Sequence, residues 1–308
     1  MTVPRQAVHV ESPTERRNPR TTDLDQLPTL DLLRSINAED RLVPDAVAAA
    51  LPALAVAVDY AVDALRTGNR VHYVGAGTSG RLASVDAAEL VPTFNAPADW
   101  FVVHHAGGTN ALRNAVENAE DDDEAGADEL TSSASPGDFV LGLTASGRTP
   151  FVLGALRAAR DLGAHTGLVF SNPHATGLLN IDVLVEVDTG PEVVAGSTRM
   201  KAGTAQKLVL TAFSTAVMVR LGRTYSNLMV SMRATNAKLR GRTLRILQEA
   251  TGVSRQECAV ALDQAHGDLK VALVHLLSGV DPERAAAVLA ATGGQVRQAL
   301  TNLGADAF

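Results

Sequence analysis

Two glycine- and hydroxyl-rich turns hold the residues best suited to chemistry: Gly75-Ala76-Gly77-Thr78-Ser79-Gly80-Arg81 and Thr144-Ala145-Ser146-Gly147-Arg148-Thr149-Pro150. Each follows a short apolar run and precedes a stretch with helical spacing. Glycine lets the backbone turn sharply and approach a ligand. The helix that follows adds unpaired N–H donors and a partial positive charge at its N-terminus. Serine and threonine hydroxyls supply more donors. Two such turns in one chain imply a cradle for a phosphorylated small molecule.

Other chemistries fit less well. Gly75, Gly77 and Gly80 satisfy the G-x-G-x-x-G spacing, but a dinucleotide site wants an acidic residue ending the next strand. Here that strand ends in His104-His105, and no Walker lysine follows either turn. Adjacent strand residues point to opposite faces, so His104 and His105 do not converge on one metal. No H-E-x-x-H is present and Cys258 is the single cysteine, which argues against a metal centre and leaves no internal disulfide. Ser79 and Ser146 lack the His–Asp pattern of a nucleophilic serine. A third segment, 196–207, runs Gly-Ser-Thr-Arg-Met-Lys into a long helix, with Ser197, Arg199, Lys201 and Lys207 near its start. Cations there oppose the helix dipole; a ligand role and a plain basic turn explain them equally. Glu89 and Glu120 read, by pattern alone, as ordinary solvated carboxylates.

The elements that must position the turns follow from the apolar runs. Residues 1–22 are polar and read as an extended arm. Residues 27–51 read as short helices broken near Pro44, and 47–65 as a helix. Strands at 71–74, 100–104, 138–143, 166–170 and 183–187 are interleaved with helices at 79–91, 109–120 and 150–162, and a long helix follows near 200–221. This alternation predicts an α/β fold with a doubly wound parallel sheet. Ligands of such sheets sit beyond the carboxyl ends of the strands, where both turns fall. From Asn227 onward the chain reads as helices only, and Leu262, Gly267, Ala272 and Leu273 recur at one offset as Leu289, Gly294, Ala299 and Leu300. The expected organisation is an arm and helices at 1–57, a ligand domain at 58–221, and a helical region at 222–308 with a two-fold helix–turn–helix repeat.

Composition narrows the partners. A formal charge of −7 over 308 residues gives no basic footprint for nucleic acid. The nearest approach to a membrane span, 47–66, contains Pro52, Asp59 and Asp63. No secretory pattern opens the chain. A cytoplasmic, soluble protein is the plain reading.

Taken together these residues resemble the N-acetylmuramic acid 6-phosphate etherase family, a branch of the sugar isomerase (SIS) domain proteins. The likeness runs from Thr14-Glu15-Arg16-Arg17-Asn18-Pro19 through both turns, Asp86-Ala87-Ala88-Glu89 and the acidic motif at 117–122, to the 196–207 segment and Asn227-Leu228-Met229-Val230. The sequence departs from the family at Ala83-Ser84, at Val91 (proline in the family), at Asn95 and Asn118 (glycine) and at Ser231 (aspartate). The resemblance implies cleavage of the lactyl ether of N-acetylmuramic acid 6-phosphate to N-acetylglucosamine 6-phosphate and D-lactate, with no metal or organic cofactor. By position Glu89 would be the acid that protonates lactate and Glu120 the base at C2, although the two roles could be exchanged. Thr78, Ser79, Ser146 and Thr149 would donate to the phosphate, with Gly77, Gly80 and Gly147 shaping the turns. The family implies a homodimer, in which the 196–207 segment could serve a neighbour's site. A sugar-phosphate sensor without catalysis, like the related glucokinase regulatory proteins, and an aldose–ketose isomerase are the competing readings.

Overall fold

The computed structural model describes residues 12–114, 116, 118–178, 180–232 and 237–305 (backbone only at 237 and 238). The elements are α1 (Thr29–Asp40), α2 (Val43–Arg66), β1 (Val71–Gly75), α3 (Gly77–Phe94), β2 (Phe101–His105), α4 (Asp123–Thr131), β3 (Phe139–Leu143), α5 (Pro150–Leu162), β4 (His165–Phe170), β5 (Val183–Glu186) and α6 (Lys201–Arg220). They are followed by β6 (Thr224–Tyr225), β7 (Leu228–Met229), α7 (Ala237–Thr251), α8 (Arg255–Gln264), α9 (Leu269–Ser278), α10 (Pro282–Ala291) and α11 (Val296–Asn302). The described chain forms two compact units. One comprises the residues up to Asp86 with Phe101–Phe213, the other Ala87–Trp100 with the residues from Ser214 on.

The first unit is built on a parallel sheet in the order β2-β1-β3-β4-β5. β1 and β3 are buried at every position, as expected of central strands covered on both faces. All five sequence-predicted strands are present. The strand order reverses between β1 and β3: the chain leaves β1 toward β2 on one side and β3 toward β4 on the other. Connections that diverge from adjacent strands leave a crevice at their carboxyl ends. α2 carries Pro44 in its first turn, where a missing N–H costs nothing, and buries Val47, Leu54, Val58, Val62 and Leu65. Among the described residues, the stretch Thr29–Arg66 is long and apolar enough to cross a membrane by length and composition. A core helix passes the same test, and α2 packs against β1, β3 and β5.

Three expectations are corrected. The predicted helix at 109–120 is replaced by two short 3-10 turns, Gly108–Leu112 and Ala119–Asp121. Gly107, Gly108 and Asn118 take positive φ values of 83°, 64° and 62°, which an α-helix excludes. The helix starts later, at α4, where Asp122 caps the N–H of Ala125 at 2.9 Å. The arm is docked from residue 12 on rather than extended: Ser12, Thr14, Asn18 and Thr21 are buried, while residues 1–11 lie outside the described set. Thr21 donates to the Val193 carbonyl at 2.8 Å, and Asn18, Arg20 and Lys201 converge on the buried Glu39. The Arg20 hydrogen bond, aided by Lys201 and Asn18 against the cost of burial, holds the Glu39 carboxyl down to about 2. In the third correction, Leu228–Met229 after Asn227 is a strand paired with Thr224–Tyr225.

α4 lies unusually close on α5. A methyl group at Gly126 would sit 2.0 Å from the Phe151 carbonyl oxygen, and one at Gly154 would sit 2.0 Å from that of Asp123. Side chains are excluded at both positions, and the contact fixes the start of α4 over α5.

In the second unit the helices α8 to α11 lie where the repeat is expected. Ser254 and Glu257 form a reciprocal capping box on α8. Asp281 caps α10 ahead of Pro282. Gly267 and Gly294 turn at matching φ values of 79° and 76°, and Leu247, Leu269, Leu273 and Leu300 close the core.

His104 and His105 part as strand alternation dictates. His104 shares a buried contact with His72 (2.9 Å), whose other ring nitrogen meets Asp138 at 3.0 Å. Burial, with His72 alongside, pushes the His104 imidazole down from 6.5 to about 4. In the unfolded chain this histidine takes up a proton near 6.5, so its contribution to stability is complete above that pH. It is lost progressively as pH falls toward 4. Thermal melts between pH 7 and 4.5 are expected to show a falling Tm, and His104→Gln a shallower fall; an unchanged slope would contradict this assignment. Gly154→Ala should lower stability by about 2 kcal/mol through overpacking, although helix propensity alone favours alanine by about 1 kcal/mol. Calorimetry gives the sign directly, and a raised Tm would refute the close approach.

Candidate functional site

The crevice between β1 and β3 holds a cavity of about 510 Å³. Gly77, Thr78 and Ser79 of the first turn line it, with Ser146 and Thr149 of the second. The two turns that sequence reading set apart by some 65 residues therefore face one space. Each is the N-terminal turn of a helix, α3 or α5, so unpaired backbone N–H groups and two positive dipole ends point at the same volume.

Each turn is held by its own geometry. Gly77 takes φ 53°. A methyl at Gly80 would lie 2.4 Å from the His105 ring, so glycine lets the first turn of α3 sink onto β2. Gly80 and Gly147 shape the loops without lining the cavity. The Arg81 guanidinium donates to the carbonyls of Ala111 (2.8 Å) and Asn114 (3.1 Å) and fastens the segment that leads to Glu120. Tyr73 ties β1 to α3 by donating to Asp86 at 2.9 Å.

The hydroxyls of the two turns differ in their commitments. Thr144 meets Thr149 at 2.7 Å and Ser146 at 3.3 Å, and the Arg148 N–H donates to the Ser146 hydroxyl at 3.1 Å. The Thr78 and Ser79 hydroxyls make no hydrogen bond among the described residues. They are the open donors, and the second turn is a prearranged ring.

Glu120 and Asp121 lie at the cavity wall, carried by the 3-10 turn just before α4. The glycine contact of α4 with α5 thus sets these carboxylates beside the turn that opens α5. Glu89 is absent from the cavity lining. It is exposed on α3, twelve residues past Gly77, which is about 18 Å along a helix rising 1.5 Å per residue.

The 196–207 segment behaves differently from its sequence expectation. Lys201 is fully buried and its ammonium is bonded to Glu39 at 2.9 Å, so its charge is spent inside the fold and unavailable to a ligand or neighbour. Arg199 and Lys207 are exposed, and Ser197 is half-buried; none of the three lines the cavity. What this segment brings to the cavity is Thr198. Glu192 caps α6 by accepting from the N–H groups of Lys201 and Ala202 at 2.8 and 2.9 Å. Thr14, Glu15, Arg148 and Asp121 also line the cavity, and the sequence does not single them out as ligand residues. Thr14 and Glu15 stood in the arm motif and Arg148 in the second turn, but nothing in their spacing linked them to one cavity.

A family model for the N-terminal SIS domain of glucokinase regulatory protein matches residues 53–160. A protein of Thermobifida fusca named N-acetylmuramic acid 6-phosphate etherase is 61% identical over 270 residues, covering 87% of this chain and 88% of its own. Another of that name, from Cutibacterium acnes, is 52% identical over 288 residues, covering 93% and 95%. The chain belongs to the N-acetylmuramic acid 6-phosphate etherase family. Among solved structures, a phosphoheptose isomerase from Francisella tularensis superposes with a TM-score of 0.51 at 20% identity, covering 63% of this chain and all of that one. At that identity the likeness speaks to the SIS fold of this etherase-family chain alone.

If the open hydroxyls of the first turn bind phosphate, Ser79→Ala should weaken inorganic phosphate binding roughly tenfold, the worth of one charge-assisted hydrogen bond. Equilibrium dialysis measures it, and an unchanged affinity with an unchanged Tm would exclude Ser79 as a donor.

Proposed function

We propose that this chain is a carbon–oxygen lyase that splits the D-lactyl ether of N-acetylmuramic acid 6-phosphate, giving N-acetylglucosamine 6-phosphate and D-lactate. The reading is supported by membership of the etherase family, and one observation carries the chemistry: a single cavity joins two hydroxyl-rich helix N-termini to the carboxylate of Glu120.

An ether at C3 is a poor leaving group until the sugar opens. The open chain has an aldehyde at C1, which acidifies the hydrogen at C2. Glu120 removes that proton, and the electron pair forms the C2–C3 double bond as the C3–O bond breaks. An acid protonates the departing lactate oxygen. Water then adds at C3 of the unsaturated aldehyde, a proton returns to C2, and the ring recloses. The balance is substrate plus water to sugar phosphate plus lactate, with acid and base both restored. The phosphate at C6 takes no part in the bond changes. Held by Thr78, Ser79, Ser146 and Thr149, it converts remote binding energy into alignment of C2 and C3.

The acid is Glu89, acting in a cytoplasmic homodimer from the partner copy. Its exposure and its distance along α3 from the turn favour that arrangement over one within a single chain. α1 and α2 also expose Leu30, Leu33, Leu51 and Val56, apolar surface suited to a second copy.

The direct test is release of D-lactate from N-acetylmuramic acid 6-phosphate by the purified protein. A folded, phosphate-binding protein that releases none, or that yields a ketose phosphate instead, would refute the assignment. Glu89→Ala and Glu120→Ala should each be inactive alone. Mixed and allowed to exchange subunits, they should recover roughly a quarter of wild-type activity, since half the dimers would be mixed and each would hold one intact site. No recovery on mixing would mean that both carboxylates come from one chain.

A further inference from the structure

The second unit contains a cavity of about 620 Å³ of its own, unrelated to the turns. Its lining carries Arg223, Arg240, Lys270 and His266, together with Ser231. We propose that this cavity is a second anion site, which binds a small phosphorylated metabolite through its phosphate group.

Four observations support it. First, the cavity lining holds more cationic than acidic side chains, and among the described residues no ion pair is formed by Arg223, Arg240, Lys270 or His266. The guanidinium of Arg223 donates to the Asn95 carbonyl at 2.9 Å and the ammonium of Lys270 to that of Gly294 at 2.8 Å, both neutral acceptors. Two aspartates are in the lining, Asp263 and Asp268, but Asp268 already accepts from the Val271 N–H at 3.1 Å as the cap of α9. Second, burial and the nearby Arg223 lower the Lys270 ammonium to about 8. Burial is the main cause, with Arg223 adding to it and Asp268 opposing it, and a bound anion would favour the charged ammonium. Third, the Ser231 hydroxyl is shielded from solvent and has no hydrogen-bond partner among the described residues. A buried hydroxyl without a partner is costly. Fourth, the donor set mixes guanidinium, ammonium and hydroxyl, the set that suits the several oxygens of a phosphate.

The cavity carries its own reporter. Trp100 is the single tryptophan of the chain, and the Arg223 guanidinium stacks over its ring at 4.7 Å. An anion that draws on Arg223 will alter the environment of that ring. The experiment is a titration of the intact protein with inorganic phosphate, followed by Trp100 fluorescence at constant ionic strength set with chloride. A saturable change is expected in wild type, and also in Ser79→Ala, which affects only the first cavity. Arg240→Gln, at an exposed position with no hydrogen bond or ion pair among the described residues, and Ser231→Asp, which adds a negative charge, should each weaken the transition at least about tenfold. The proposal is overturned if wild type gives no saturable change. It is also overturned if Arg240→Gln, with its melting temperature unaltered, titrates as wild type does.

Discussion

The reversal of strand order between β1 and β3 is the constraint on which the rest of the structure depends. Parallel strands need long crossovers, and two crossovers that leave adjacent strands in opposite directions cannot close over the gap between them. In this chain each of those strands runs directly into a glycine-rich turn and a helix. The turns are therefore forced to face each other, and the N-terminal ends of α3 and α5 aim at one cavity of about 510 Å³. The shape of this cavity is a consequence of topology, and the hydroxyls refine its lining.

A second level of organisation brings a carboxylate to this cavity. Backbone contact at Gly126 and Gly154 seats α4 on α5, Arg81 pins the preceding loop, and Glu120 arrives at the wall of the cavity. A third level fixes the opposite wall. Glu39 gathers Asn18, Arg20 and Lys201, while Glu192 caps α6, so that the arm and the start of α6 contribute Thr14 and Thr198. A buried carboxylate with one partner would be a liability; with three donors its charge is compensated. On the proposed reading the chemistry stays at one end of the ligand and the anchoring at the other.

Much of this was legible in the sequence because it rests on local signals. The five strands are short, mainly apolar runs, the turns carry their glycines and hydroxyls in order, and the capping box at Ser254 and Glu257 needs only spacing. The failures share a cause, since they depend on contacts far along the chain. The 109–120 segment has helical apolar spacing, but left-handed residues at 107, 108 and 118 interrupt it. Lys201 fits an anion ligand and a plain exposed basic turn equally well in the sequence, because its partner, Glu39, lies 162 residues away. Thr14 and Thr198 gave no sign that they share a cavity. Two departures from the family pattern, by contrast, explain themselves: Asn95 and Asn118 replace glycines at φ 50° and 62°, and asparagine is the side chain that best tolerates that region.

The claim at the centre of this account is that the turns hold the phosphate while Glu120 takes the proton from C2. It is tested most directly by running the reaction in heavy water and locating deuterium in the N-acetylglucosamine 6-phosphate formed. Wild type should place one deuterium at C2, and Glu120→Gln should suppress that exchange together with lactate release. Product without deuterium at C2, or exchange at the wild-type rate in Glu120→Gln, would contradict it.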